Sequence, residues 1–291
     1  MLLPKFEIHE PSDIGEACEI LAELGPEAKV LAGGTDLLVN MKKRVLSPPH
    51  LVYLGRVDEL RSLDSEGAEV SIGACATASE IAEAAQVKKA CPALSTGAGS
   101  LGSPLVRNLA TIGGNLVSAR PAADFPPSLL AYDARVVLAG KDGEREVPLT
   151  DFFKAPGETV AQPGEILTNV VLEKPPENAF SAYIKLGLRK ALEISLVNVA
   201  AYLALDEGGA VREARIALGS VAPTPVRAPS GEQVLVGEKP SDALFAEAGK
   251  RAVADTSPID DFRASAAYKR DMVKVLTRRA LSQALESIRA K

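Results

Sequence analysis

Cysteine and histidine are scarce in this chain. The 291 residues carry three cysteines and two histidines. Cys18, Cys75 and Cys91 are widely spaced and none belongs to a CxxC pair, which argues against a disulfide framework, a zinc finger or an iron–sulfur cluster. His9 and His50 each read as a surface residue, leaving little for a His-based metal centre or a Ser-His-Asp triad. Long apolar runs are missing too. The best candidate, Ile194 to Leu205, is interrupted by Ser195 and Asn198, so no bilayer span is expected. The opening Met1-Leu2-Leu3-Pro4 reaches proline too soon for the apolar stretch of a cleavable signal. Basic clusters are short: Lys42-Lys43-Arg44 is the longest, and the formal net charge is -5, a balance that disfavours a nucleic-acid surface. These absences lead us to expect a soluble, cytoplasmic protein.

A hydrophobic content of 46% is enough for roughly two or three cores of ordinary domain size. The first stretch alternates strand and helix: a short strand over Phe6 to Glu10, a helix from Asp13 to Leu24 capped by Ser12, a buried strand over Lys29 to Ala32, and another strand over Leu51 to Leu54. From about Glu69 the order changes. Strands are expected at 70–74, 135–139 and 146–149, and within 160–172. A helix is expected at 78–85, and a helix followed by a loop over 88–101. Glu173 to Asn178 reads as a linker. Strand patterns follow at 180–188, 195–206 and 213–218, then helices near 241–254 and 264–289. Tyr268, Met272, Leu276, Leu281, Leu285 and Ile288 form the apolar stripe of the last one.

Two glycine pairs each follow a strand-like apolar run. The first lies in Val30-Leu31-Ala32-Gly33-Gly34-Thr35-Asp36-Leu37, the second in Thr111-Ile112-Gly113-Gly114-Asn115. Glycine admits positive φ and lets a ligand approach bare backbone, and successive amides in such a turn form a nest for anionic oxygens. Thr35, Thr111 and Asn115 can add side-chain hydrogen bonds. One such pair alone reads more readily as a plain tight turn, and two with matching neighbours weaken that reading without naming a ligand. Neither matches G-x-G-x-x-G, and no P-loop occurs, so a Rossmann or P-loop nucleotide site is unsupported. Asp124 can accept hydrogen bonds from ribose hydroxyls or cap a helix over 128–132. Lys185, in a strand, is either an ordinary exposed lysine or a cation beside a bound electron carrier.

Three blocks carry a resemblance: VLAGGTDLLVNM from Val30 to Met41, VRNLATIGGNL from Val106 to Leu116, and YIKLGLRKALEISLVNVAA from Tyr183 to Ala201. In this order and spacing the chain resembles the FAD-binding medium subunits of the molybdenum hydroxylase family, which includes xanthine dehydrogenase and carbon monoxide dehydrogenase. The likeness runs nearly end to end. It implies an α+β fold: a vanillyl-alcohol-oxidase/PCMH-type FAD-binding domain at 1–175 with two α/β subdomains, about 1–56 and 57–175. A C-terminal α+β domain at 180–288 with a three-stranded antiparallel sheet follows. The resemblance further implies that residues 30–37 and 111–115 hold the FAD pyrophosphate and that Asp124 binds the nucleotide part. Leu101, Leu167 and Lys185 would lie near the cofactor, with Leu167 and Lys185 beside the isoalloxazine. No residue would act as general acid or base. Partner subunits are implied as well: a large one with molybdopterin and a small one with two [2Fe–2S] clusters, assembled as a dimer of heterotrimers. Electrons would leave through this flavin to NAD+, oxygen, a quinone or another acceptor. A stand-alone FAD-dependent reductase of the same fold is the alternative. A cysteine-rich insertion for an extra [4Fe–4S] cluster, as in the 4-hydroxybenzoyl-CoA reductase flavin subunit, is not found.

Overall fold

The structure, a computed structural model, describes residues 2–189 and 192–289. Lys190 and Ala191, inside the third matching block, lie outside the described residues, as does the side chain of Ile288. The chain opens with β1 (Glu7–His9), α1 (Ile14–Leu24), β2 (Ala28–Leu31), α2 (Leu37–Lys42) and β3 (His50–Tyr53). These three strands make a parallel sheet in the order β1-β3-β2. The carboxylate of Asp13, and not Ser12, caps α1 by accepting the Glu16 amide at 2.8 Å, while the Ser12 hydroxyl donates to the Glu16 carboxylate. Gly25 ends the helix at φ 55. The expected short buried strand at Lys29–Ala32 is Ala28–Leu31, with Lys29 and Val30 exposed, because β2 is an edge strand.

The second region holds β4 (Leu63–Asp64), β5 (Glu69–Gly73), α3 (Ala78–Glu83), α4 (Ala85–Ala90), α5 (Pro92–Ser100), α6 (Pro104–Arg107), α7 (Ile112–Val117) and α8 (Phe125–Ala131). It continues through β6 (Arg135–Gly140), β7 (Gly143–Pro148), α9 (Leu149–Phe152), β8 (Phe153–Ala155), β9 (Glu158–Thr159) and β10 (Ile166–Glu173). Five of its strands form a second sheet, β4-β5-β10-β6-β7, antiparallel throughout. Thr77 opens α3 with a capping box: its hydroxyl accepts the Glu80 amide while the Glu80 carboxylate accepts the Thr77 amide. Helix α1 lies between the first two sheets, its Ala17, Cys18 and Leu21 sharing a core with Val52, Val57, Cys75, Ala139 and Ile166.

The last region holds β11 (Ala179–Leu186), β12 (Val197–Leu205), β13 (Val211–Gly219), β14 (Val226–Arg227), α10 (Pro229–Glu232), α11 (Asp242–Ala252) and α12 (Ala266–Arg289). Its antiparallel sheet has four strands, not three: the two-residue β14 pairs Ala217 and Leu218 of β13. So short a strand leaves no alternation to read. Both faces of this sheet are covered. Along β12, Val197, Val199, Ala201 and Leu203 face the core shared with α11 and α12, while Ala200, Tyr202 and Ala204 face α5 and α8 of the preceding region. The two-residue period of a strand thus places one face in each core. Each fully buried valine or leucine among these contributes on the order of 1.5–3 kcal/mol. No helix among the described residues is long and apolar enough to cross a membrane.

Candidate functional site

The first glycine pair follows the end of β2. Gly34 has φ +70, a left-handed conformation that favours glycine. Gly33 has a different reason to lack a side chain. A Cβ there would lie 1.7 Å from the Leu109 carbonyl oxygen. The first glycine turn therefore abuts the segment leading into the second. Asp36 adds a link, its carboxylate accepting the Ser118 hydroxyl at 3.1 Å. Among the described residues, none of the amides from Gly33 to Leu37 donates a hydrogen bond. Five successive donors are thus left at the head of α2, where an anion would satisfy them. Leu31 is buried with Met41 and Leu51, Leu37 and Ala32 are half-buried against neighbouring cores, and Val30 and Asp36 are exposed.

The second pair differs from expectation. No strand precedes it: Gly113 and Gly114 occupy the first turn of α7, with Thr111 as its cap. Every amide from Ile112 to Asn115 is already used. Ile112 donates to the Ala76 carbonyl at 3.0 Å, Gly113 to Ala74 at 2.9 Å, Gly114 to the Thr111 hydroxyl at 3.1 Å and Asn115 to the Thr111 carbonyl at 3.0 Å. This turn is therefore not an amide nest like the first. Gly113 is pressed against Ala74, whose Cβ would be 2.7 Å from an added Cβ. Gly114 is exposed, and an added Cβ would meet only the Thr111 hydroxyl, at 2.9 Å. Beside it, the Asn115 side-chain oxygen is buried and has no hydrogen-bond partner. A buried acceptor of this kind costs about 1–3 kcal/mol if left unmet. What the second motif offers a ligand is a bare Cα and a waiting amide side chain. The motif is anchored by tertiary bonds: Ala74 holds the Thr168 carbonyl through its amide at 2.8 Å, at the bulge next to Leu167. Leu101, Ile112 and Leu167 are all buried in the same core.

Asp124 and Lys185, 61 residues apart, form one unit. The Lys185 ammonium donates to Asp124 Oδ2 at 2.9 Å and to the Ser100 carbonyl at 3.1 Å, and both side chains are about one-tenth exposed. Asp124 Oδ1 accepts the Tyr183 phenol at 2.8 Å and the Ser195 hydroxyl at 3.0 Å. Asn198 donates to the Tyr183 phenol oxygen and to the Ala123 carbonyl, each at 3.0 Å. Asp124 precedes α8 but makes no side-chain cap bond to it. Burial pushes the Tyr183 phenol well above its ordinary pKa, and the Asp124 charge pushes the same way. The phenol therefore stays a donor. This cluster ties the end of α5 and the start of α8 to β11 and β12. Tyr183, Ser195 and Asn198 were not singled out by motif. The signal for two of them was present, since Ser195 and Asn198 interrupt an otherwise apolar run.

The two histidines, expected as surface residues, are half-buried and adjacent: His9 Nε2 lies 3.1 Å from His50 Nδ1. Parallel pairing of β1 with β3 brings them together, with Glu7 opposite His50.

The family described as the FAD binding domain in molybdopterin dehydrogenase matches residues 4–175, and the CO dehydrogenase flavoprotein C-terminal domain matches residues 182–284. The chain is 35% identical to the carbon monoxide dehydrogenase medium chain of Hydrogenophaga pseudoflava, over 98% of each. It is 32% identical to a putative xanthine dehydrogenase FAD-binding subunit of Escherichia coli, over 95% of each. Among solved structures, carbon monoxide dehydrogenase from Hydrogenophaga pseudoflava superposes with a TM-score of 0.94, covering 98% of this chain and 99% of that one.

Proposed function

The chain belongs to the family of FAD-binding domains in molybdopterin dehydrogenases, and from that membership we propose that it is the electron-exit subunit of a multi-subunit molybdenum hydroxylase. A large subunit would carry molybdopterin and a small one the [2Fe–2S] clusters, as a dimer of heterotrimers, with an external acceptor taking the electrons. FAD, when bound, supplies a carrier that can exchange electrons singly or in pairs.

The residues present suit that group. The observation that carries the reading is the run of unpaired amides from Gly33 to Leu37, abutting the segment that leads into the Thr111 turn. We assign the diphosphate to these amides, with main-chain dipoles meeting its charge in place of lysine. The bare Gly114 gives room for close approach, and the orphaned Asn115 oxygen accepts a hydrogen bond from the ligand. Thr111, Ile112 and Gly113 act one step back, holding Gly114 and Asn115 in place. Leu101 and Leu167 contribute an apolar wall that excludes water. Asp124 and Lys185 are read as a neutralised pair that fixes the last domain against the cofactor domain.

The test is purification of the native assembly. It should contain one FAD per chain together with molybdenum and iron, and reduction by the organic substrate should bleach the flavin absorption. A protein that purifies alone, or a flavin that substrate reduces without the partner subunits, would defeat the proposal in favour of a stand-alone reductase.

A further inference from the structure

We infer that Glu7, His9 and His50 form a binding site for a borderline transition-metal ion, with Zn2+ the best match. The chain has only two histidines, and parallel pairing of two strands sets them side by side. Residues i and i+2 of a strand share a face, so Glu7 and His9 project together from β1. The register Glu7↔His50 brings the third donor from β3. His9 Nε2 is 3.1 Å from His50 Nδ1, and His50 Nδ1 is 3.6 Å from a Glu7 carboxylate oxygen. All three donor atoms lie within 4.8 Å of one another. Ligands held about 2.0–2.1 Å from a tetrahedral zinc stand roughly 3.4 Å apart. The two measured separations bracket that spacing.

The donor set selects the ion class. Two imidazoles and one carboxylate favour Zn2+ and its neighbours over Mg2+ or Ca2+, which take all-oxygen shells. The site opens to solvent, with side-chain exposures of 22% for His50 and 67% for Glu7, so water can take the fourth position. Two ligands come from β1, the outer strand of the sheet, and one from the central β3. The bound ion would cross-link the first strand to the sheet, at the edge opposite the strand that runs into Gly33 and Gly34. The three cysteines are buried elsewhere and are not needed.

The experiment uses the full-length chain in the assembly in which it purifies, stripped with a chelator and titrated with ZnCl2 or CoCl2. We expect the wild type to bind one more Zn2+ per chain than His9→Ala. Glu7→Gln should bind at least tenfold more weakly, and zinc should raise the melting temperature of the wild type but not of His9→Ala. Cobalt should give ligand-field bands with no thiolate charge transfer. Equal zinc stoichiometry in wild type and His9→Ala, or a thiolate band, would overturn the site. Failure to bind zinc below about 1 mM would reduce the contact to a His–His hydrogen bond. FAD content and the far-UV spectrum report folding. If His9→Ala misfolds, His9→Gln and zinc protection of both imidazoles from diethyl pyrocarbonate decide the matter.

Discussion

Replacing Lys185 with methionine leaves the Asp124 carboxylate buried, with only the Tyr183 and Ser195 hydroxyls as donors. At the observed 2.9 Å, the pair attracts by about 6 kcal/mol for an effective dielectric near 20. Desolvation of the two ions offsets most of this, so the pair adds little net stability. Removing one partner is another matter: an uncompensated buried charge costs about 3–5 kcal/mol. Lys185→Met and Asp124→Asn should each lose about that much. The double variant carries no stranded charge. It should be destabilised less than the sum of the two by at least 2 kcal/mol, a coupling that a double-mutant cycle isolates. Thermal unfolding at pH 7 checks this. With roughly 2–4 °C per kcal/mol for a domain of this size, each single variant should melt about 6–20 °C below wild type. Additivity within about 0.5 kcal/mol would refute the claim that the two residues act as one buried unit. So would single variants that melt like the wild type.

Gly114→Val should lose FAD at a small cost in stability, because its Cβ meets only the Thr111 hydroxyl, at 2.9 Å; Gly33→Val should lose both FAD and much thermal stability, because it collides with the Leu109 carbonyl. Flavin content and melting temperature separate the two, and full flavin retention by Gly114→Val would count against the close approach assigned there. Burial pushes the Cys75 thiol up to about 11, the Cys91 thiol up to about 12, and the Cys18 thiol also upward. At pH 8 native protein should therefore leave all three unlabelled by a disulfide reagent, and denatured protein should label all three. Burial pushes the Asp261 carboxyl up, but hydrogen bonds from Arg263 and Lys269 outweigh it and hold it well below its ordinary 3.8. A depressed carboxylate stabilises the fold above its ordinary pKa and loses that contribution as pH falls through the folded value. Asp261→Asn should thus be destabilised at pH 7 and converge on wild type in strong acid. A stability gap that did not narrow with acidification would contradict this.

The elements most legible in the sequence were those fixed by local patterns. Gly25-Pro26 ended α1, and Leu276, Leu281 and Leu285 of the apolar stripe marked α12, although Tyr268 at its head is exposed. The strand pattern at 195–206 marked β12, which the structure buries on both faces. The helix over Ile112–Val117 was not legible, because two adjacent glycines weaken helix propensity. Its first turn is held by the Ala74 and Ala76 carbonyls, which are distant in sequence. The first glycine turn was read as an anion cradle from Gly33 and Gly34, but the contact that brings it beside the second depends on a carbonyl at Leu109. Pairings such as Asp124 with Lys185 and His9 with His50 leave no local trace. They arise from strand register and from packing between domains.

The bolt through Asp124 also bears on how the subunit meets its partners. Ser100, Asp124, Lys185 and Ser195 come from four separate stretches of chain, and sliding the last sheet along the preceding helices would break their shared bonds together. In the proposed assembly, a frame locked in this way would hold its partner-facing surfaces at a constant offset from the bound flavin. The gap that charge must cross between subunits would then be set when the chain folds, before any redox group arrives.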